Sequence, residues 1–142
     1  MAQIRGKKGG NVMGACYSVA LKVKLLDEPG AIKALQEHIE NDTGVNYSID
    51  DFASQGATTE TFDGLMKIFL AGWEGLSFEV SESNGFTLYT NDFDASYGWE
   101  CVMIDMFYTL TPFIANKSEF VIDVDNDYDR LVVRNGKCVQ VH

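Results

Sequence analysis

Positive charge is nearly missing from the second half of this sequence. Between Lys67 and Arg130 the one cation is Lys117, while the same stretch holds twelve carboxylates, from Glu74 to Asp129. A body so acidic repels DNA, RNA and anionic membrane and attracts basic surfaces. Cysteine is also scarce. Cys16, Cys101 and Cys138 are odd in number and far apart, with no C-x-x-C, which excludes a disulfide framework or a zinc site and fits reduced intracellular thiols. No apolar run approaches the ~20 residues of a membrane span. Lys22 and Lys24 interrupt the apolar stretch that a signal peptide would need. A cytoplasmic location follows.

The rest of the composition describes a folded protein. The chain has 142 residues, 46% of them hydrophobic and 12% aromatic, with a net charge of −10. That predicts one domain with a genuine core. Arg5, Lys7 and Lys8 lie in a Gly-rich leader; without them the body has 8 basic and 21 acidic residues and a charge of −13. Residues 1–14 read as a flexible leader and 15–142 as the domain. Lys7-Lys8-Gly9-Gly10 can be encoded by AAGAAAGGAGG, a bacterial ribosome-binding sequence, with Asn11-Val12 as spacer. On that reading the native start is Met13 and the gene is bacterial, or from a phage or mobile element.

Hydrophobic periodicity predicts the elements. Residues 16–26 alternate, with Val19, Leu21, Val23 and Leu25 on one face and Lys22 and Lys24 opposite, as in a half-buried strand; Cys16 is expected to be its first inward residue. Asp27 and Pro29 signal a helix start, Ile32, Leu35 and Ile39 its buried stripe and Gly44 its stop. Residues 45–58, with Ile49, Phe52 and Gly56, give no firm pattern. A second helix is expected from Thr58 or Thr59, with Phe62, Leu65, Met66, Phe69, Leu70 and Trp73 on its apolar face and Glu74-Gly75 at its end. Residues 76–92, from Leu76 and Phe78 onward, read as a hairpin turning at Asn84-Gly85. A third helix is expected over 96–114, capped by Asp94 or Ser96, with Trp99, Val102, Met103, Met106 and Leu110 inward and Pro112 near its end. Three strands follow: 120–124, then 131–134 and 137–141 around Asn135-Gly136, with Asp125-Asn126-Asp127 as turn. The order is β-α-α-β-β-α-β-β-β. This is an α+β single domain with a mostly antiparallel sheet of five or six strands and three helices.

Catalytic motifs are missing from this pattern. Asp123, Asp125, Asp127 and Asp129 alternate like a calcium loop, but Tyr128 stands where glycine is needed and Arg134 where a bidentate Glu is needed; a solvated acidic turn fits better. A two-metal nuclease needs clustered carboxylates and an approach to polyanions that the charge opposes. His38 and His142 are the sole histidines, and neither neighbours a Cys or Ser, so nucleophilic catalysis has no evident base; a Cys101–His38 pair is the remaining candidate. No catalytic residue, metal site or cofactor is assigned. Gly98 in the first turn of the third helix is costly and suggests close approach of backbone or ligand. Tyr97 and Trp99 could wall a planar ligand, although a core anchor is the plainer role for Trp99.

The segments CYSVALKVKL, YGWECVMIDMF and DYDRLVVRNGKCVQVH resemble parts of small uncharacterised acidic proteins of bacterial phages and conjugative elements. The resemblance implies an inhibitor of host defence, of the anti-CRISPR or anti-restriction kind. Together with the charge it gives the main expectation: a non-enzymatic DNA mimic that binds a basic host protein, not nucleic acid or membrane. Its acidic face would carry Glu100, Asp105, Asp123, Asp125, Asp127 and Asp129. The alternatives are a signalling-nucleotide sponge and a self-associating module that forms homo-oligomers. The sponge would stack its ligand on Tyr89, Tyr97 and Trp99 and contact the anion through Arg130, Arg134 and Lys137.

Overall fold

The computed structural model describes residues 14–41, 58–71, 79–125 and 127–141. Residues 1–13 of the leader, Gly44, the segment with Ile49, Phe52 and Gly56, Trp73, Glu74-Gly75, Leu76, Phe78, Asn126 and His142 lie outside them, while Gly14 opens the first strand. The described residues form three α-helices and a six-stranded antiparallel sheet, an α+β domain in the expected order. The elements are β1 (Gly14–Val23), α1 (Glu28–Asn41), α2 (Phe62–Ala71), β2 (Glu79–Ser83), β3 (Phe86–Ser96), α3 (Trp99–Leu110), a 3₁₀ turn (Thr111–Phe113), β4 (Glu119–Val124), β5 (Asp127–Arg134) and β6 (Lys137–Val141). The sheet order is β2-β3-β1-β4-β5-β6. Strand β1 is thus central, paired to β3 from Gly14–Ser96 to Val23–Thr87 and to β4 from Tyr17–Val124 to Lys22–Glu119. Among the described residues no helix is long and apolar enough to cross a membrane.

Local chemistry explains most element boundaries. Asp27 caps α1: its Oδ1 accepts from Gly30 N at 3.1 Å and its carbonyl from Ala31 N at 3.0 Å. Pro29 occupies the first turn, where no N–H is needed. Helix α2 begins three or four residues later than expected because Thr61, not Thr58 or Thr59, is its cap, accepting from Gly64 N at 3.0 Å. Asn84-Gly85 and Asn135-Gly136 have positive φ at both positions (56° and 84°; 54° and 75°), the type I′ turn that matches strand twist. Asp94 and Ser96 belong to β3 rather than capping α3, which starts at Trp99. Its cap is Gly98 at φ 100°, and a Cβ there would meet nothing within 4 Å. Gly98 therefore serves backbone conformation and not a close approach. Asp127 and Asp129 lie in β5 rather than in a turn.

All three helices cover the same face of the sheet. Tyr17, Val19, Leu21 and Val23 of β1, Tyr89 and Phe93 of β3, Phe120 and Ile122 of β4, and Leu131 and Val133 of β5 point into one core with Leu35, Ile39, Leu65, Phe69, Met103 and Phe107. Polar side chains at this boundary satisfy helix ends. Asn91 Nδ2 donates to Leu70 O and Trp99 Nε1 to Phe69 O, each at 2.9 Å, so two carbonyls from the last turn of α2 find partners. Gln36 Nε2 donates to Thr59 O at 2.6 Å, joining α1 to the approach to α2.

Candidate functional site: the open face of the sheet

Period two sends every second strand residue to the face that none of the described helices covers. Cys16, Ser18, Ala20 and Lys22 of β1 point there. Cys16 is exposed, a correction of the inward expectation: it shares its parity with Lys22 and not with Val19. Register then fixes the neighbours. Ser18 lies between Asp92 of β3 and Asp123 of β4, Ala20 between Thr90 and Val121, and Lys22 between Leu88 and Glu119. Further across, Tyr128 lies beside Asp123, Arg130 beside Val121, and Val132 between Glu119 and Val139.

One end of this face is acidic. A hollow of about 600 Å³ is lined by Ser18, Ala20, Glu79, Thr90, Asp92, Val121 and Asp123, with Val19 and Asn91 at its floor. Ser18 Oγ donates to Asp92 Oδ1 at 2.5 Å. Asp94 follows on the same side of β3, opposite Cys16. Asp125, in a left-handed conformation at φ 51°, closes this end. Its Oδ2 accepts from Tyr97 Oη at 2.8 Å and its Oδ1 from Cys16 N at 3.4 Å, while its own N donates to Cys16 O at 3.3 Å. The Asp125 carboxylate raises the pKa of the exposed Tyr97 hydroxyl, because it favours the protonated donor.

The other end is basic around a single carboxylate. Arg130 grips Glu119 with two donors, Nε to Oε2 at 3.2 Å and Nη2 to Oε1 at 3.4 Å, and Lys22 Nζ lies 3.6 Å from Glu119 Oε1. The bond from Arg130 holds the Glu119 carboxyl below its ordinary pKa of 4.5 against the opposing effect of burial, with Lys22 adding to it. Lys22 also sits 5.3 Å over the Phe86 ring. Arg134 and Lys137 face each other across the β5–β6 hairpin, and both are exposed.

The expected acidic face is thus divided. Asp123 belongs to the open face and Asp125 to its rim. Glu100 is half-buried at the start of α3, accepting from Tyr17 Oη at 2.8 Å and Gly98 N at 2.9 Å. Asp105 is exposed on α3. Asp127 and Asp129 share the parity of Leu131, hence the helix side, and Asp129 accepts from Gln140 Nε2 at 2.7 Å. The stacking set is divided too. Tyr89 is 3% exposed and gives its hydroxyl to Asp63 Oδ1 at 2.6 Å; Trp99 is 7% exposed. Both rings serve the core and offer no stacking wall, which leaves Tyr97, 59% exposed, at the acidic end. Arg130, Arg134 and Lys137 do share one face. Sequence reasoning missed Ser18, Glu79, Asp92 and Val121. The alternation of Asp92 and Asp94 about Phe93 was their available signal.

Among the described residues no three His, Cys, Asp or Glu side chains converge as metal ligands. His38 packs its ring against Phe69, centroids 6.4 Å apart, and Cys101 is exposed on α3. No protein-family model, curated protein or solved structure matches the chain.

Proposed function

We propose that this is a non-enzymatic binding protein that holds a basic protein surface against the acidic end of its open sheet face. The observation that carries the reading is the hollow of about 600 Å³ between Asp92, Asp123 and Glu79, whose lining among the described residues holds no cation. A Lys or Arg side chain entering it would meet carboxylates from three strands and lay its aliphatic stem on Ala20 and Val121. On this reading the partner is a host nucleic-acid-binding protein, whose phosphate-binding groove supplies such side chains. The mimicry is local to Asp92, Asp94, Asp123 and Asp125; the six carboxylates first grouped as one array do not form it.

The test is a tagged pull-down from bacterial lysate with bound proteins identified by mass spectrometry. Capture of a nucleic-acid-binding protein at about 0.05 M salt, lost at about 0.5 M, is the expected result, since contacts of this kind are screened by salt. Asp92→Lys with Asp123→Lys should weaken capture at least tenfold, while Glu37→Lys with Asp105→Lys in the helical layer leaves it unchanged. Equal capture by both variants would end the proposal. The nucleotide-sponge alternative draws on Arg130, Arg134 and Lys137, with Lys22 beside them and Phe86 and the exposed Tyr128 as neighbouring aromatics. Recovery of a nucleotide sensitive to Arg134→Ala would favour it.

A further inference from the structure

The open face is both dipolar and apolar in the middle. Its acidic end holds Asp92, Asp94 and Asp123, and its basic end Lys22, Arg134 and Lys137. Between and beside them lie Ala20, Leu88, Val121, Val132, Val139 and Val141, all on the same parity by register. A chain with a net charge of −10 has no need to gather its few cations on the face that also carries an aliphatic stripe. A surface with opposite charges at its two ends is complementary to a copy of itself turned end for end.

We infer that two copies of this chain pack open face to open face, related by a twofold axis that lies between the sheets and runs perpendicular to the strands. That operation reverses each strand upon its counterpart. It brings the Asp92 and Asp123 end of one copy over the Lys22, Arg134 and Lys137 end of the other, and repeats the contact by symmetry. A twofold axis parallel to the strands would instead stack acid on acid. Six strands ~4.8 Å apart and about seven residues long give a face of roughly 29 by 24 Å. That is on the order of 700 Å² per copy, close to the ~800 Å² of a standard specific interface. Sheets packed this way stand ~10 Å apart with interdigitated side chains, which suits the half-buried Val121 and Val139, while Val132 is already 7% exposed in the single chain. Net repulsion between copies comes mostly from remote carboxylates, and at 0.15 M salt charges beyond about 8 Å are largely screened. Edge-to-edge association through β2 is the poorer geometry. The β2 edge is short, and all five of its residues are exposed, Glu79 and Glu82 among them, a composition that opposes strand addition.

The inference does not depend on the partner reading. The two bindings use the same carboxylates, so a basic partner and a second copy would compete. Sedimentation of the purified chain alone tests it, with circular dichroism as a check of folding. The wild-type protein should sediment as a dimer at about 50 µM in 0.15 M salt and dissociate at least tenfold more readily in 1 M salt. Asp92→Lys/Asp123→Lys reverses two carboxylates at the acidic end, and Arg134→Glu/Lys137→Glu reverses two cations at the basic end, so each removes the charge contrast along the face. Each variant alone should be monomeric, and an equimolar mixture should recover the dimer mass. Recovery could not come from misfolded chains. A wild-type monomer throughout, variants that stay dimeric, or a mixture that stays monomeric would overturn the inference.

Discussion

The two faces of β1 carry residues that alternate one by one yet obey different rules. Tyr17, Val19, Leu21 and Val23 are each 4% exposed or less and exist to fill space under the helices. Cys16, Ser18, Ala20 and Lys22 face away from all the described helices. What decides their identity is the charge and size of neighbours on β3 and β4. A change on the first face alters whether the chain folds, and a change on the second alters what the folded chain can meet.

The largest expected effect on that contrast comes from adjacent residues of β4. Phe120→Ala, on the covered face at 0% exposure, should cost about 3–5 kcal/mol in urea unfolding. Val121→Ala, one residue on and facing out, should cost no more than about 1 kcal/mol. Similar losses at the two positions, measured at a protein concentration too low for two copies to pair, would mean that the single chain covers this face itself.

Two glycines give the next contrast. A Cβ at Gly64 would stand 2.0 Å from Thr58 O and 2.6 Å from Thr58 Cγ2. Gly64→Ala should therefore cost about 2 kcal/mol or more, as overpacking does. Gly98 has open space and only its positive φ to preserve, so Gly98→Asn should cost a few tenths of a kcal/mol and Gly98→Ala about 1. Thermal midpoints of the three variants would check this order.

Smaller still is the bond between layers from Tyr17 to Glu100. Tyr17→Phe should lose about 1.5 kcal/mol. Burial, followed by the Glu100 carboxylate, raises the Tyr17 phenol above its ordinary pKa of 10.0, and burial with Asp63 does the same for Tyr89. The folded chain keeps these protons where the unfolded chain releases them. Their contribution is whole below pH 10 and declines as pH rises above it. The alkaline decline should be shallower in Tyr17→Phe, as read from urea midpoints between pH 9 and 11.

The smallest effect belongs to the open face. Glu119 has a lowered pKa through Arg130. Its contribution is present above the ordinary value of 4.5 and is lost as pH falls below that toward its folded value. Glu119→Gln should flatten this acid limb slightly, and salt should flatten it further.

Much of the covered face was legible in the sequence because it is written locally. Alternation in β1, the Asp27 and Pro29 start of α1, and the two Asn-Gly turns each depend on residues a few positions apart. The open face was less legible because it is assembled from distant segments. That Ser18 stands between Asp92 and Asp123 follows from β1 lying between β3 and β4, which no local pattern states. The same gap placed Tyr89 among the stacking candidates and left Trp99 shared between a stacking role and the core anchor that it is. Their polar atoms answer to Asp63 and to the carbonyl of Phe69, partners that only the packed helix α2 supplies. Asp127 and Asp129 looked like turn residues by composition, but pairing with Val124 and Ile122 outweighs the low strand propensity of aspartate.

The central place of β1 has a consequence for synthesis. Both strands that complete it come later in the chain, Gly14 pairing with Ser96 and Tyr17 with Val124. At ~5–20 residues per second a ribosome needs on the order of ten seconds to deliver those partners. During that interval Tyr17, Val19, Leu21 and Val23 have emerged with nothing to pair with. This acidic protein therefore has its most sticky moment while it is being made, and a chaperone that holds short apolar segments has a natural client in the nascent β1.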